Sequence, residues 1–139
     1  MRILLAMLAW LGAAAAQACP GLQAEDAWVR EAPPGAMMTV AYAKLRNVGT
    51  KPLRITGGAS KDFASAELHR TVVENGISRM VGGKLEIAPG AAAALEPGSW
   101  HLMLMNPSRP LNAGDQVSIA LRCGRKATEF TFTVKAGTE

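Results

Sequence analysis

The chain has 139 residues, of which 49% are hydrophobic and 19% charged, and its formal net charge is +4 at pH 7. This length suffices for one domain with a hydrophobic core. The charge is too small and too dispersed for a nucleic-acid-binding protein. Its densest basic cluster, Arg122, Arg125 and Lys126, contains no aromatic residue and is interpreted as a solvated hairpin turn.

The first eighteen residues have the composition of a secretory signal peptide. Arg2 gives a positively charged start, residues 3–11 are apolar, and Ala16-Gln17-Ala18 is a small-x-small cleavage sequence. The apolar run is shorter than the about 20 residues that a membrane-spanning helix needs, which argues against a membrane anchor. We therefore expect cleavage after Ala18 and export of residues 19–139 as a single domain that does not span the membrane.

Short alternating segments separated by turn residues make up the rest of the chain. We predict strands at 28–30, 39–45, 53–56, 64–73, 77–81, 85–88, 92–95, 100–105, 116–123 and 128–134. The turn signals between them include Pro33-Pro34-Gly35, Asn47-Val48-Gly49, Gly57-Gly58, Asn75-Gly76, Gly82-Gly83, Pro89-Gly90, Pro97-Gly98 and Gly114. This pattern predicts an all-β protein, an antiparallel sandwich or barrel.

Two histidines and two methionines are spaced like a set of metal ligands: His69, Met80, His101 and Met103. Ten residues separate the first two, twenty separate the second and third, and one separates the last two. Thioether sulfur binds zinc, calcium and magnesium poorly, but it suits Cu(I), as imidazole also does. The chain has only 2 histidines, and both belong to this set. The set predicts a neutral site for one Cu(I) ion per chain.

Turn chemistry brings the first two candidate ligands together. Asn75-Gly76 is the strongest signal for a two-residue hairpin turn, and such a turn places Thr71 opposite Met80. His69 then lies on the same face, diagonal to Met80 and within about 7–8 Å. A shift of one residue in the turn would put the two side chains on opposite faces.

Alternation along one strand brings the last two candidate ligands to one face. His101, Met103 and Met105 share a face, and Leu102 and Leu104 occupy the other. Because methionines among leucines usually pack in the core, Met105 is interpreted as a core residue.

Two further methionines, Met37 and Met38, follow the first proline-rich turn. They are close enough in sequence to a strand to approach a metal. Loop-edge packing is the interpretation that we prefer for both.

The two cysteines left after export, Cys19 and Cys123, predict one disulfide, because an even number is typical of exported domains. Two alternatives remain. Cys19 follows the cleavage sequence and could carry a lipid, although Ala16 stands where lipoprotein signals favour leucine. Cys123 could be a metal thiolate, although no histidine or methionine follows it closely.

These features resemble the periplasmic copper chaperones of the PCuAC family, exported cupredoxin-like domains with a His, Met, His-x-Met pattern. The resemblance covers nearly all of residues 19–139. It rests on Ala27-Trp28-Val29-Arg30, Ala41-Tyr42, Glu67-Leu68-His69, Met80, Leu95-Glu96-Pro97-Gly98, His101-Leu102-Met103-Leu104-Met105 and Pro110-Leu111. The spacing between Met80 and His101 is one residue shorter than is usual in the family, a difference that the Pro89-Gly90 turn can absorb.

The resemblance implies a function as well as a fold. The family's copper ligands correspond to His69, Met80, His101 and Met103, and its function implies delivery of Cu(I) to the copper centres of respiratory oxidases. The partner would be an oxidase copper domain or another copper chaperone, and we expect a monomer. Some members carry a tail rich in histidine and methionine; residues 134–139 lack one, so we expect no second copper site there.

Other classes of function fit the sequence less well. No catalytic residues are assigned, because no paired carboxylates, hydrolytic triad or phosphate-binding loop can be identified. An electron-transfer cupredoxin would need a Cys–His–Met cluster. A periplasmic copper storage or resistance protein, or a metal-free β-sandwich assembly module, remains an alternative to copper delivery.

Overall fold

The computed structural model describes residues 18–137, so the expected signal peptide lies, apart from Ala18, outside the described residues. This part of the chain forms eleven strands. They are β1 (Leu22–Arg30), β2 (Met38–Asn47), β3 (Leu53–Ile55), β4 (Gly57–Ala59), β5 (Phe63–Glu74), β6 (Ile77–Gly82), β7 (Leu85–Ile87), β8 (Ala92–Leu95), β9 (Trp100–Pro107), β10 (Gln116–Cys123) and β11 (Lys126–Lys135). Across residues 18–137 no helix is long and apolar enough to cross a membrane.

Eight of the strands form a closed barrel. They follow the order β4-β10-β11-β1-β2-β8-β9-β5, and pairing of β4 with β5 completes the ring. Strand β6 extends outward from β5, and β3 pairs with β7 in a separate small sheet. The predicted all-β barrel is therefore confirmed. It is not purely antiparallel, because β1 pairs with β11, and β8 with β9, in parallel.

Strand alternation fills the barrel with apolar side chains. Leu102 and Leu104 of β9 are fully buried, as are Leu45 of β2 and Phe132 of β11. Full burial of such a side chain contributes about 1.5–3 kcal/mol. Because the leucines of β9 point inward, the residues that alternate with them lie on the outer face of the barrel wall.

The barrel closes at a place where the sequence predicts a turn. Gly57-Gly58 belongs to strand β4, and Gly58 pairs with Ala66 of β5 on one side and with Leu121 of β10 on the other. A Cβ atom on Gly58 would lie 2.8 Å from the carbonyl oxygen of Ala120. The turn interpretation is wrong because this glycine permits a close approach of two strands instead.

Strand β1 is longer than the three residues predicted at Trp28. It begins at Leu22, and its register with β2 shifts between Glu25 and Trp28. Asp26 lies within this irregularity with a positive φ of 49°. The bulge interrupts the alternation of apolar residues, which explains why the sequence pattern revealed only the second half of the strand.

A disulfide ties the beginning of the described chain to the β10–β11 hairpin. Cys19 and Cys123 are bonded, with their Cα atoms 6.0 Å apart, as the even cysteine count predicts. The backbone nitrogen of Cys19 also donates a hydrogen bond to Thr128 Oγ1 at 2.8 Å. The three basic residues of this region are exposed, as expected: Arg125 lies in the hairpin turn, and Arg122 and Lys126 lie on the strands that flank it. With both sulfurs in the disulfide, neither cysteine offers a thiol for a lipid or a thiolate for a metal.

Candidate metal centre

The β5–β6 hairpin has the register that its turn residues predict. Asn75 and Gly76 both have positive φ angles, 52° and 75°, which suits a two-residue hairpin turn. Thr71 is the cross-strand partner of Met80. The side chains of His69 and Met80 therefore lie diagonally on one face of the hairpin, as the sequence indicates.

The two histidines face each other across a different pair of strands. His69 of β5 is the direct cross-strand partner of His101 of β9, and their ring centroids are 6.1 Å apart at an interplanar angle of 73°. Met103 lies two residues beyond His101 on the outer face of the same strand, opposite Glu67. The barrel wall thus brings together both imidazoles and one thioether of the predicted set.

Hydrogen bonding fixes the tautomer of His101. Its Nδ1 atom is 3.2 Å from the carbonyl oxygen of Ser99. Since a carbonyl oxygen only accepts, Nδ1 carries a proton and donates, and in the neutral ring Nε2 keeps its lone pair. The His101 side chain is buried, with 3% of the residue's surface exposed, and Nε2 has no hydrogen-bond partner among the described residues.

His69 has the complementary arrangement. Its Nε2 atom is 3.0 Å from Glu67 Oε2. In the neutral ring Nε2 donates to this carboxylate, which leaves the lone pair on Nδ1. Nδ1 is likewise buried without a hydrogen-bond partner in the described part of the chain.

Two buried imidazole nitrogens without hydrogen-bond partners, on cross-strand neighbours, are suited to metal coordination. An unsatisfied buried polar atom costs about 1–3 kcal/mol, and coordination of a metal would satisfy both. Ligating histidines characteristically donate their other ring N–H to a carboxylate or a carbonyl. Glu67 and Ser99 accept these two hydrogen bonds, so the residues fit a metal with a preference for nitrogen ligands.

The two methionines of the set differ in exposure. Met103 is half-buried on the barrel wall, whereas Met80 is 54% exposed on β6. Three candidate ligands therefore belong to the rigid wall, and the fourth belongs to a hairpin that projects from it. In a metal-loaded site, the candidate ligand on this hairpin could move away without disturbing the barrel.

Trp100 supports the base of this hairpin. The guanidinium carbon of Arg70 lies 5.7 Å from the centre of the Trp100 ring. A Cβ atom on Gly83 would lie 3.0 Å from the same ring, so the chain leaving β6 passes directly against it. The sequence pattern does not reveal Trp100, Glu67 or Ser99 as site residues, although Glu67 shares the face of His69 two residues away.

Three other methionines occupy positions that differ from the sequence interpretation. Met105 is half-buried on the outer face of β9, so its interpretation as a core residue is wrong. Met37 and Met38 are 67% and 53% exposed, so packing against the loop edge covers less than half of either residue. Met38 is the direct cross-strand partner of Met105.

Sequence comparison matches most of the chain to one family. The LpqE-like family of lipoproteins matches residues 22–136. A relative from Leifsonia xyli subsp. xyli, named as a lipoprotein, is 38% identical over 104 residues, which cover 73% of this chain. The chain spans 61% of the length of that relative.

Comparison with solved structures finds the same architecture in copper-related domains. The copper-bound PCuAC domain of PmoF2 superposes with a TM-score of 0.70 at 20% identity, over 88% of this chain and 99% of that domain. The Cu(I) form of DR1885 from Deinococcus radiodurans gives a TM-score of 0.63 at 28% identity, over 91% of this chain and 84% of that protein. The resemblance to PCuAC domains and the cupredoxin-like fold that it implies are confirmed.

Proposed function

The chain belongs to the LpqE-like family and has the architecture of a PCuAC-type copper chaperone domain, and from this premise we propose that it carries Cu(I). The proposed ligands are His69, Met80, His101 and Met103, holding one ion per chain. The carrier acts in the periplasm after residues 1–18 are removed as a signal peptide, and residues 19–139 form its single domain. The lipoprotein name of a relative supports export.

One observation carries this proposal: Nδ1 of His69 and Nε2 of His101 are both buried, without a hydrogen-bond partner among the described residues, on facing side chains. Both rings are oriented by acceptors at their other nitrogen. Thioethers from the two methionines would complete a neutral site, which leaves Cu(I) its single charge and disfavours harder ions. The ligand chemistry therefore favours a monovalent soft cation.

The same ligands are suited to releasing Cu(I) to an acceptor protein. Neutral imidazole and thioether bind Cu(I) less strongly than the thiolates of a cysteine-containing acceptor would. Met80, on the exposed hairpin, is the ligand that an approaching acceptor can displace first. Stepwise exchange of ligands then passes the ion on without a change in its oxidation state.

Anaerobic titration of the protein with Cu(I) should reach an end point at one equivalent. X-ray absorption of the loaded protein should give a shell of both nitrogen and sulfur neighbours, because imidazole and thioether supply the ligands. Stoichiometric binding of zinc that Cu(I) cannot displace would contradict the proposal. So would a copper shell with no sulfur.

We place the recipient among the copper domains of respiratory oxidases, reached directly or through another copper chaperone. The Cu(I)-loaded protein should metallate such a soluble domain, and Met80→Ala should transfer poorly because it loads poorly. A strain lacking the gene should lose oxidase activity when copper is scarce and recover it when copper is supplied. Normal oxidase assembly in that strain at limiting copper would favour storage or resistance instead.

A further inference from the structure

Three methionines that share the outer face of the barrel wall lie beside the proposed copper site. Met38 of β2 is directly opposite Met105 of β9. Met103 is two residues from Met105 on the same face of the same strand. Directly opposite residues have Cβ atoms about 4.5–5.5 Å apart, and diagonal neighbours are about 7–8 Å apart. Three flexible thioethers at these spacings can converge on one ion.

Packing in the barrel core does not account for this cluster, because all three side chains lie on the outer face of the wall. Met38 is 53% exposed, and Met103 and Met105 are half-buried, while the core beneath them is filled by leucines of the opposite face. The exposed part of Met38 gains nothing from burial, and Met103 and Met105 each keep an accessible part at the same surface. The distinctive property of methionine at the surface is a soft sulfur ligand on a flexible stem.

We propose that Met38, Met103 and Met105 form an accessory Cu(I) site through which the ion reaches and leaves the pair of histidines. This proposal rests on the proposed function, because Met103 is a ligand in both positions. The ion would first be held by the three thioethers. Met103 would then retain it while His69 and His101 replace the other two sulfurs.

The chemistry gives this movement a direction. Cu(I) keeps its oxidation state throughout, and only neutral ligands exchange. Three thioethers near the surface offer the ion fewer and weaker donors than two buried imidazoles with two thioethers. The carboxylate of Glu67, opposite Met103 and in contact with His69, places a negative charge beside the route and favours a cation there.

Met37 provides a matched control. It is adjacent in sequence, has the same side chain and is 67% exposed. It lines a cavity of about 620 Å³ together with Pro34, Pro107 and Leu111, and that lining includes none of the three methionines of the accessory site. Replacement of Met37 by leucine, which removes the sulfur, should therefore leave the rates of copper loading and release unchanged.

The test compares Met38→Leu/Met105→Leu with Met37→Leu and the unaltered protein, all loaded with one equivalent of Cu(I). Stopped-flow mixing with a chromophoric Cu(I) chelator measures release, and mixing of the apoprotein with a Cu(I) complex measures loading. Loss of the accessory ligands should slow both rates about tenfold, which corresponds to a small increase in the activation barrier. The equilibrium affinity for Cu(I) should stay within about threefold of that of the unaltered protein. Met37→Leu should match the unaltered protein.

Methyl NMR signals of the methionines give an independent reading. Sub-stoichiometric Ag(I), a redox-inert substitute for Cu(I), should shift the methyl signals of Met38 and Met105 in a His69→Ala/His101→Ala protein. Unshifted signals, or unchanged rates in the double leucine variant, would overturn the accessory site. Failure of Cu(I) to perturb the imidazole signals of the unaltered protein would instead overturn the proposed function.

Discussion

Replacement of His101 by alanine should lower the affinity for Cu(I) by at least about a hundredfold. The imidazole presents a buried lone pair that the Ser99 carbonyl orients, and loss of an orienting partner alone typically costs 10–100-fold in metal affinity. Loss of the ligand itself should cost more. Competition with a chromophoric Cu(I) chelator under anaerobic conditions measures the change.

The control for this variant must separate loss of a ligand from loss of packing. His101 is buried, so its truncation also leaves a small cavity. Leu104→Ala removes a fully buried side chain from the same strand and should cost about 2–5 kcal/mol of stability. It should nevertheless bind Cu(I) within about threefold of the unaltered protein. Equal affinity losses in the two variants would mean that His101 acts through the fold and is not a ligand.

The strand geometry of the candidate site that the sequence predicts correctly is the part encoded by local chemistry. Asn75 and Gly76 both tolerate positive φ, and this alone sets the pairing of Thr71 with Met80. Alternation likewise assigns His101 and Met103 to one face of β9, because the side-chain period of a strand is two. Neither inference needs any knowledge of the remaining chain.

The direct pairing of His69 with His101 could not be obtained in this way. The two residues belong to strands that are separated in sequence by three others, β6, β7 and β8. The register between β5 and β9 depends on how the two strands pack over the common core, and no turn residue determines it. The sequence could suggest that both histidines bind one metal, but not that their rings lie 6.1 Å apart.

Closure of the barrel could not be predicted from the sequence for a related reason. Glycines mark turns in most contexts, so the sequence predicts a turn at Gly57-Gly58. Here Gly58 is required because the backbone of Ala120 approaches too closely for a Cβ atom. A close approach between strands is a property of the packed barrel, and the identity of the residue alone does not distinguish it from a turn.

Of the two groups that accept hydrogen bonds from the histidines, one could be predicted from the sequence and the other could not. Glu67 is two residues from His69 and on the same face, so alternation could have identified it as a partner. The Ser99 carbonyl offered no signal, because any residue at that position supplies the same group. Backbone acceptors are recognised only once the chain has been folded.

Removal of the disulfide should cause a large loss of stability. The bond joins residues 104 positions apart, and chain-entropy arguments give about 4–5 kcal/mol as an upper value for such a loop. In Cys19→Ser/Cys123→Ser we expect the free energy of unfolding to fall by about 3–5 kcal/mol and Tm by roughly 10–20 °C. Denaturant and thermal unfolding of the exported protein measure both quantities.

Copper binding should survive this change, because neither sulfur belongs to the proposed ligand set. The disulfide anchors the segment before β1 to the β10–β11 hairpin, whereas His69 and His101 lie on β5 and β9. If the folded double variant lost as much Cu(I) affinity as His101→Ala, Cys123 would be implicated as a thiolate ligand. The mass of the unreduced exported protein provides the matching check. It should correspond to residues 19–139 less two hydrogens, and two free thiols or a lipid on Cys19 would show that the bond does not form in the cell.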